Sequence, residues 1–250
     1  MVLSGGSIET ERFAGLDPAI ARKAQLPLLG RPMVEWVVRA LRAAEGLGRV
    51  VVVGHPDLAT PGLRELAVEL VPEAGGITEN LRAGLEPLRG SERVLLVSGD
   101  LPLLTAAAVE DFLHQAPDAD VVFPYVARED ALREFGDREW MFARTPDGYF
   151  TGCSAALFRP EAVFAQWKWV DQALSARRRS VLGLALLIGL PMAVKYALGR
   201  LRVRDVEARV SALLHLRARG YRTRYTELAM DVDKYTDIAF VEEILRGRAR

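Results

Sequence analysis

Helical and strand patterns alternate along the chain from about residue 31 to residue 130. Val34, Val38 and Leu41 recur at helical spacing after Pro32, which suits the first turn of a helix. Apolar runs that stop at turn signals predict buried strands at 49–54, 93–97 and 120–125. Helices are expected between them at 63–70, 77–88 and 105–113. Buried strands that alternate with helices indicate βαβ units and a mostly parallel sheet.

The second half of the chain has a less regular pattern. The predicted elements are a strand over 148–158, helices over 160–170, about 180–198 and 203–219, a strand over 221–225 and a final helix through 238–245. No linker rich in Pro, Gly or Ser divides the chain. We therefore expect one α/β domain with its core at 1–160 and 221–250. A helical insertion is expected at 161–220, with its three helices near 165–220.

One segment, 181–194, contains fourteen residues and no charge, and it follows three consecutive arginines at 177–179. As a helix it would span about 21 Å, against about 30 Å for the hydrocarbon core of a bilayer. Pro191 would also kink it. We therefore expect no transmembrane span and no membrane partner, and favour a helix over 181–198 buried in the core. A membrane-surface helix and a homodimer interface are the alternatives.

Composition excludes several classes of protein. Half of the 250 residues are apolar and 26% are charged, which argues against intrinsic disorder. The 33 basic and 33 acidic residues cancel, so no nucleic-acid partner is expected. The single cysteine, Cys153, excludes a disulfide framework and a cysteine zinc site. The first residues lack the pattern of a secretory signal, which favours the cytoplasm.

The N-terminus carries a short glycine loop. Ser4, Gly5 and Gly6 follow an apolar stub that ends at Leu3, and Lys23 comes later in the chain. Glycines permit close approach of backbone N–H groups to a phosphate, and a lysine supplies a compact positive charge. The pattern is neither a P-loop nor a dinucleotide-binding fingerprint, and an ordinary turn is the alternative.

Acidic residues follow a predicted strand and precede the last helix. Asp100 comes directly after the strand at 93–97, where ligands bind in open parallel sheets, while Thr105 is available to cap the next helix. A carboxylate there suits Mg²⁺, and we expect Asp100 to face solvent. Asp231 and Asp233 alternate onto one side of an extended segment. Helix capping by these acids or by Asp237 is the competing interpretation.

A fourth motif is a loop with the only asparagine of the chain. Gly75 and Gly76 precede a predicted helix that contains Asn80. Asparagine is unfavourable inside helices, so its amide suggests a recognition role. Helix capping remains the alternative.

Together these motifs resemble those of the MobA-like NTP transferases. The segments are LSGG at 3–6, KAQLPLLGRPM at 23–33, GDLPLL at 99–104 and the acidic closing element at 231–245. The resemblance implies a Rossmann-like, mostly parallel sheet flanked by helices, of the GT-A-like nucleotide-diphospho transferase class. It also implies Lys23 as a phosphate ligand with a catalytic role, and Asp100, the other catalytic residue, and Asp233 as Mg²⁺ ligands, with Asp231 in reserve. The implied nucleotide-binding residues are Leu3, Ser4, Gly5, Gly6, Arg12, Lys23, Gly75, Gly76 and Asn80.

The function implied by the resemblance is Mg²⁺-dependent nucleotidyl transfer. An NTP would give its NMP to a phosphorylated small-molecule acceptor, with release of pyrophosphate. One alternative is a GT-A-type glycosyltransferase that uses a sugar nucleotide, because Asp231-Val232-Asp233 has the form of a DxD motif. Another is a non-catalytic nucleotide-binding or membrane-surface module.

Overall fold

The computed structural model describes residues 1–5, 8, 11–17, 20–179 and 189–248. By its internal contacts the chain divides into two compact units. The first comprises Met1–Leu88, Leu96–His114 and Met230–Arg250, and the second comprises Arg89–Leu95 and Gln115–Ala229. The single domain expected at 1–250 stays a prediction.

The strands, in chain order, are β1 (Val2–Leu3), β2 (Pro27–Leu28), β3 (Arg31–Pro32), β4 (Val51–Gly54), β5 (Glu69–Pro72), β6 (Val94–Ser98), β7 (Val121–Ala127), β8 (Ala143–Thr145), β9 (Gly148–Gly152), β10 (Ala155–Phe158) and β11 (Ala218–Thr223). The helices are α1 (Met33–Ala43), α2 (Pro61–Glu65), α3 (Ile77–Leu85), α4 (Ala106–Gln115), α5 (Arg128–Phe135), α6 (Pro160–Ala165), α7 (Trp167–Arg179), α8 (Leu190–Ala197), α9 (Val203–Leu214) and α10 (Tyr235–Arg248).

The first unit is organised around the short strand β1. Its Val2 lies opposite Val52 of β4 and Val97 of β6, both in parallel register, and all three valines are fully buried. Strand β5 continues the parallel order beyond β4. β-branched residues fit this fully buried pleated surface. The predicted parallel arrangement of the first half is therefore confirmed.

One predicted helix in this unit is wrong. The apolar residues of 63–70 were interpreted as a single short helix, but α2 ends at Glu65, and Ala67 has a φ of +51°. The chain then enters β5, which pairs with β4 from Glu69 to Pro72. This segment pairs with a hydrogen-bonding edge of β4. The prediction missed the pairing because the spacing of apolar residues gives no information about a distant strand edge.

The second unit is organised around β7 and has mixed strand directions. Strands β9 and β10 pair with β7 antiparallel, whereas β11 pairs with it in parallel. The continuous strand expected over 148–158 is interrupted at Cys153 and Ser154. The N–H of Cys153 donates to the Pro124 carbonyl and that of Ser154 to the Leu228 carbonyl. These two residues therefore divide the predicted strand into β9 and β10.

The apolar helix is also placed differently from the expectation. The residues at 180–188 lie outside the described part of the chain, and the remainder forms α8. Met192 is buried, but Leu190 is 76%, Val194 47% and Leu198 63% exposed. The prediction of a buried helix is therefore wrong for α8, because nothing among the described residues covers this face. Among the described residues no helix is long and apolar enough to cross a membrane.

Candidate functional site

The carboxyl ends of β1 and β6 meet at one edge of the first unit. Leu3 lies opposite Ser98, and the N–H of Gly99 donates to the Leu3 carbonyl at 2.9 Å. The N–H of Ser4 donates to the Val53 carbonyl at 2.8 Å. Ser4 and Gly99 therefore leave neighbouring strands side by side, which is the position where open parallel sheets bind ligands.

The contact between Ser4 and Gly99 leaves no room for a side chain at residue 99. A Cβ added to Gly99 would lie 2.2 Å from Ser4 Oγ and 3.2 Å from the Leu3 carbonyl oxygen. Ser4 Oγ is itself buried and has no hydrogen-bond partner among the described residues. This glycine therefore brings the loop that carries Asp100 against the loop after β1.

Lys23 joins two of the acidic residues. Its Nζ donates to Asp100 Oδ2 at 2.6 Å and to Asp233 Oδ1 at 2.8 Å. Burial by itself would lower the pKa of Lys23, but the charge of Asp100 and the hydrogen bonds to both carboxylates outweigh it and raise this pKa above its ordinary value. Lys23 is therefore a fixed positive charge at neutral pH.

The three aspartates form one cluster. Carboxylate oxygens of Asp100, Asp231 and Asp233 all lie within 4.8 Å of one another. Burial first, and then the charges of Asp233 and Asp100, raise the pKa of Asp231 to about 6. The expected solvent exposure of Asp100 is wrong, since its side chain is only 17% exposed. Packing of Gly99 against Ser4 holds it inside the edge of the sheet.

The last segment is held in place by backbone and capping contacts. The N–H of Val232 donates to the Asp100 carbonyl at 3.1 Å. Asp237 is buried, and its Oδ2 accepts the N–H groups of Asp233 at 2.9 Å and Lys234 at 3.0 Å. Asp237 thus accepts hydrogen bonds from backbone N–H groups just before α10. This is the capping role that was considered for all three acids. Asp231 and Asp233 are left to the cluster.

The cluster fits a divalent cation. All three side chains offer hard oxygen ligands, which Mg²⁺ prefers. Asp100 Oδ1 is buried and has no hydrogen-bond partner in the described part of the protein, so one ligand oxygen is uncompensated. Asp100, Asp231 and Asp233 are the residues that would hold such an ion.

A second group of residues lies beside Gly5. Asn80 is buried, and its Oδ1 accepts the N–H of Ala74 at 2.6 Å. A Cβ on Gly5 would lie 2.6 Å from Asn80 Nδ2 and 3.0 Å from Glu73 Oε2. Glu73 also forms an ion pair with Arg22 at 2.7 Å. The loop after β1 therefore contacts the loop before α3.

Reasoning from the sequence missed Glu73 and Arg22. The available signals were weak: Glu73 lies two residues before the Gly75–Gly76 pair, and Arg22 directly precedes Lys23. Gly75 is exposed with a φ of +107°, and Gly76 is the N-cap residue of α3.

The remaining predicted residues are Arg12 and Gly6. Arg12 is exposed, and its carbonyl accepts the N–H of Tyr235 at 3.0 Å, which attaches its backbone to the start of α10. Gly6 lies outside the described residues. The roles of all these residues toward a nucleotide stay predictions.

Residues 1–190 match the MobA-like NTP transferase domain, and the chain belongs to this family, as its motifs suggested. A 2-C-methyl-D-erythritol 4-phosphate cytidylyltransferase of Cereibacter sphaeroides is 34% identical over 146 residues. That match covers 56% of this chain and 65% of the relative, so the chain spans less than two thirds of the relative's length.

Solved structures support the same fold class. A hypothetical transferase from Thermus thermophilus has 38% identity and a TM-score of 0.83, with 95% of this chain and 97% of that chain covered. A CMP:2-keto-3-deoxy-manno-octonic acid synthetase complexed with CTP has a TM-score of 0.60, with 99% of this chain and 98% of that chain covered. Its sequence identity is 13%, so this similarity shows the fold alone. The predicted GT-A-like α/β class is confirmed.

Proposed function

We propose that the protein is a Mg²⁺-dependent nucleotidyltransferase. It moves an NMP from an NTP to a phosphorylated small-molecule acceptor and releases pyrophosphate. The observation that carries this proposal is Lys23 in contact with Asp100 and Asp233 at the carboxyl edge of a parallel sheet. A cation, a fixed ammonium and a glycine loop are what binding of a polyphosphate requires.

The backbone of this chain supplies the phosphate site. The N–H groups of Gly5 and Gly6 would surround the phosphates, while the N–H of Ser4 stays bonded to the Val53 carbonyl. Leu3 would pack against the nucleoside. Lys23 would transfer from its carboxylates to the phosphates, where its charge offsets the negative charge that builds up on the leaving pyrophosphate. Arg12 would add a second positive charge.

The acidic cluster supplies the metal site. Mg²⁺ bound there would neutralise phosphate charge and help to align the acceptor with the α-phosphorus. Asp100, Asp233 and Asp231 would hold the ion. Asp237 has its capping contacts to Asp233 and Lys234, so its task is to position the segment that carries two of the ligands.

Base recognition falls to the loop before α3. Gly75 and Gly76 would present backbone groups to the base, and Asn80 would hold the loop through its contact with Ala74. CTP is the first nucleotide to test, because one relative is named as a cytidylyltransferase and one structural neighbour was solved with CTP. A phosphorylated polyol is the matching acceptor class, because that relative is named for 2-C-methyl-D-erythritol 4-phosphate. Because NTPs are cytoplasmic substrates, we place the reaction in the cytoplasm.

The test is pyrophosphate release from each of the four NTPs, with Mg²⁺ or with EDTA, in the presence of a panel of phosphorylated polyols. We expect release that needs Mg²⁺, one NTP and an acceptor phosphate. Parallel reactions that contain a sugar nucleotide and an acceptor, without NTP, test the glycosyltransferase alternative. Glycosyl transfer in those reactions, without pyrophosphate release in the others, would contradict the proposal.

A further inference from the structure

Helix α8 carries an apolar face that the described residues leave exposed. Leu190, Val194 and Leu198 follow one another at intervals of four residues, and each is exposed. At about 100° per residue, Met192 points roughly away from Leu190, and Met192 is the buried residue of this helix. The helix therefore packs through the side that carries Met192. The side that carries Leu190, Val194 and Leu198 is accessible to a binding partner. Exposed apolar faces of this kind usually mark an interaction site.

The segment of the chain that contains this face is basic. Between Asp171 and Asp205 the sequence contains seven Lys and Arg residues and no Asp or Glu, although the whole chain has zero net charge. Arg200, Arg202 and Arg204, which follow α8, are all exposed. The only acidic partner described for this stretch is Asp205, which forms an ion pair with Lys195 at 2.7 Å.

We propose that this face of α8 binds the surface of an anionic lipid bilayer. Leu190, Val194 and Leu198 would enter the boundary between headgroups and acyl chains, while the flanking arginines contact the anionic headgroups. The combination of an apolar helix face and a basic border is the pattern of a helix that lies in the membrane surface.

The charge pattern also argues against a second copy as the occupant. A symmetric dimer through this face would bring the basic segments of both copies into one interface. Like charges brought together at an interface oppose association, whereas an anionic surface compensates all of them. The earlier expectation of no membrane partner depended on burial of the helix, and the structure removes that support.

The experiment is co-sedimentation of the full chain with vesicles of pure phosphatidylcholine or of phosphatidylcholine with roughly one third phosphatidylglycerol. We expect partitioning at least about tenfold stronger to the anionic vesicles, with a steep decrease when salt rises from about 0.05 M to about 0.5 M. Two variants test the two parts of the surface. The apolar variant is Leu190→Ser/Val194→Ser/Leu198→Ser, and the charge variant is Arg200→Glu/Arg204→Glu.

Both variants should partition at least about tenfold more weakly to the anionic vesicles. Each basic residue near the membrane surface strengthens partitioning by roughly fivefold. Matched controls at exposed sites elsewhere are Met141→Ser and Arg64→Glu/Arg144→Glu, which should bind like the wild type. Unchanged thermal unfolding midpoints confirm that all variants fold. Absence of wild-type binding, or equal binding by the apolar variant, would overturn the proposal. A dimer in solution that the apolar variant abolishes, without vesicle binding, would identify a second copy instead.

This proposal does not depend on nucleotidyl transfer. Pyrophosphate release is measured in solution without vesicles, so failure of one proposal leaves the other intact.

Discussion

Lys23 Nζ lies 2.6 Å from Asp100 Oδ2, within the group of carboxylates that fits a divalent cation. The ammonium and a metal ion therefore compete for the charge of the same carboxylates. When a polyphosphate draws Lys23 away, Asp100 and Asp233 become available to the metal. Nucleotide and metal should consequently bind cooperatively, with Lys23 as the group that links them.

The first prediction concerns Lys23→Met, which keeps the length of the side chain and removes its charge. Turnover should fall at least about a hundredfold, because a donor to the phosphates is lost. Without nucleotide, Mn²⁺ should bind about thirtyfold more tightly, because a competing charged hydrogen bond worth on the order of 2 kcal/mol is gone. Electron paramagnetic resonance of free Mn²⁺ measures this affinity.

Lys168→Met is the matched control, since Lys168 lies over the ring of Trp169 in the second unit. It should change neither quantity. Lys23→Arg should not restore wild-type turnover, because the planar guanidinium cannot replace a compact ammonium between two carboxylates. Equal Mn²⁺ affinities for wild type and Lys23→Met would show that the ion pair does not compete with the metal.

The second prediction concerns Asp100→Asn, which preserves the shape of a largely buried side chain. Turnover should fall at least about a hundredfold, because a charged ligand is lost from the metal site. The stabilisation that Mg²⁺ and NTP confer on the wild type in thermal unfolding should also disappear. Asp137→Asn, at an exposed position, is the control and should behave like the wild type. Wild-type turnover at saturating Mg²⁺ would exclude Asp100 as a ligand.

The third prediction concerns Asp231 in metal-free protein. Its pKa in the folded chain is about 6, against an ordinary value of 3.8, so the folded state binds a proton that the unfolded state releases. Stability from this group is therefore complete below about pH 4 and is lost as the pH rises to about 6. Asp231→Asn should be more stable than the wild type by up to about 3 kcal/mol at pH 8 in EDTA, and equal to it near pH 3.5.

Urea unfolding at both pH values measures this difference. Added Mg²⁺ should reduce or reverse it, because the cation stabilises the ionised carboxylates of the wild type. A wild type as stable as Asp231→Asn at pH 8 in EDTA would show that folding does not raise the pKa of Asp231.

The fourth prediction concerns Gly99→Ala. The new methyl group would overlap Ser4 Oγ and approach the Leu3 carbonyl, so the loops after β1 and β6 must separate. Overpacking of this kind costs about 1–3 kcal/mol of stability, and turnover should fall because Asp100 moves. Gly48→Ala is the control, since nothing lies within 4 Å of its added Cβ. Equal unfolding midpoints for both variants would contradict the close contact.

The sequence by itself determined the parallel first half of the fold. Uncharged apolar runs at β4 and β6 fit strands that are buried on both faces, and in a chain of alternating helices this favours a parallel sheet. The same reasoning placed Asp100 at a carboxyl strand end. The family motifs, read together, pointed to Lys23 and to the acidic pair at 231–233. These features depend on neighbouring residues in the sequence, or on motifs that lie entirely within one segment.

Only the tertiary structure decided which partners these groups meet. It assigned the capping role to Asp237, brought Arg22 and Glu73 beside Gly5, and withdrew Asp100 from solvent. Within the described part of the chain it also left Leu190, Val194 and Leu198 exposed, where the apolar pattern predicted burial. The physical reason is common to these cases. Periodicity reports which side of an element is apolar, but burial and pairing depend on which distant segment packs against that side.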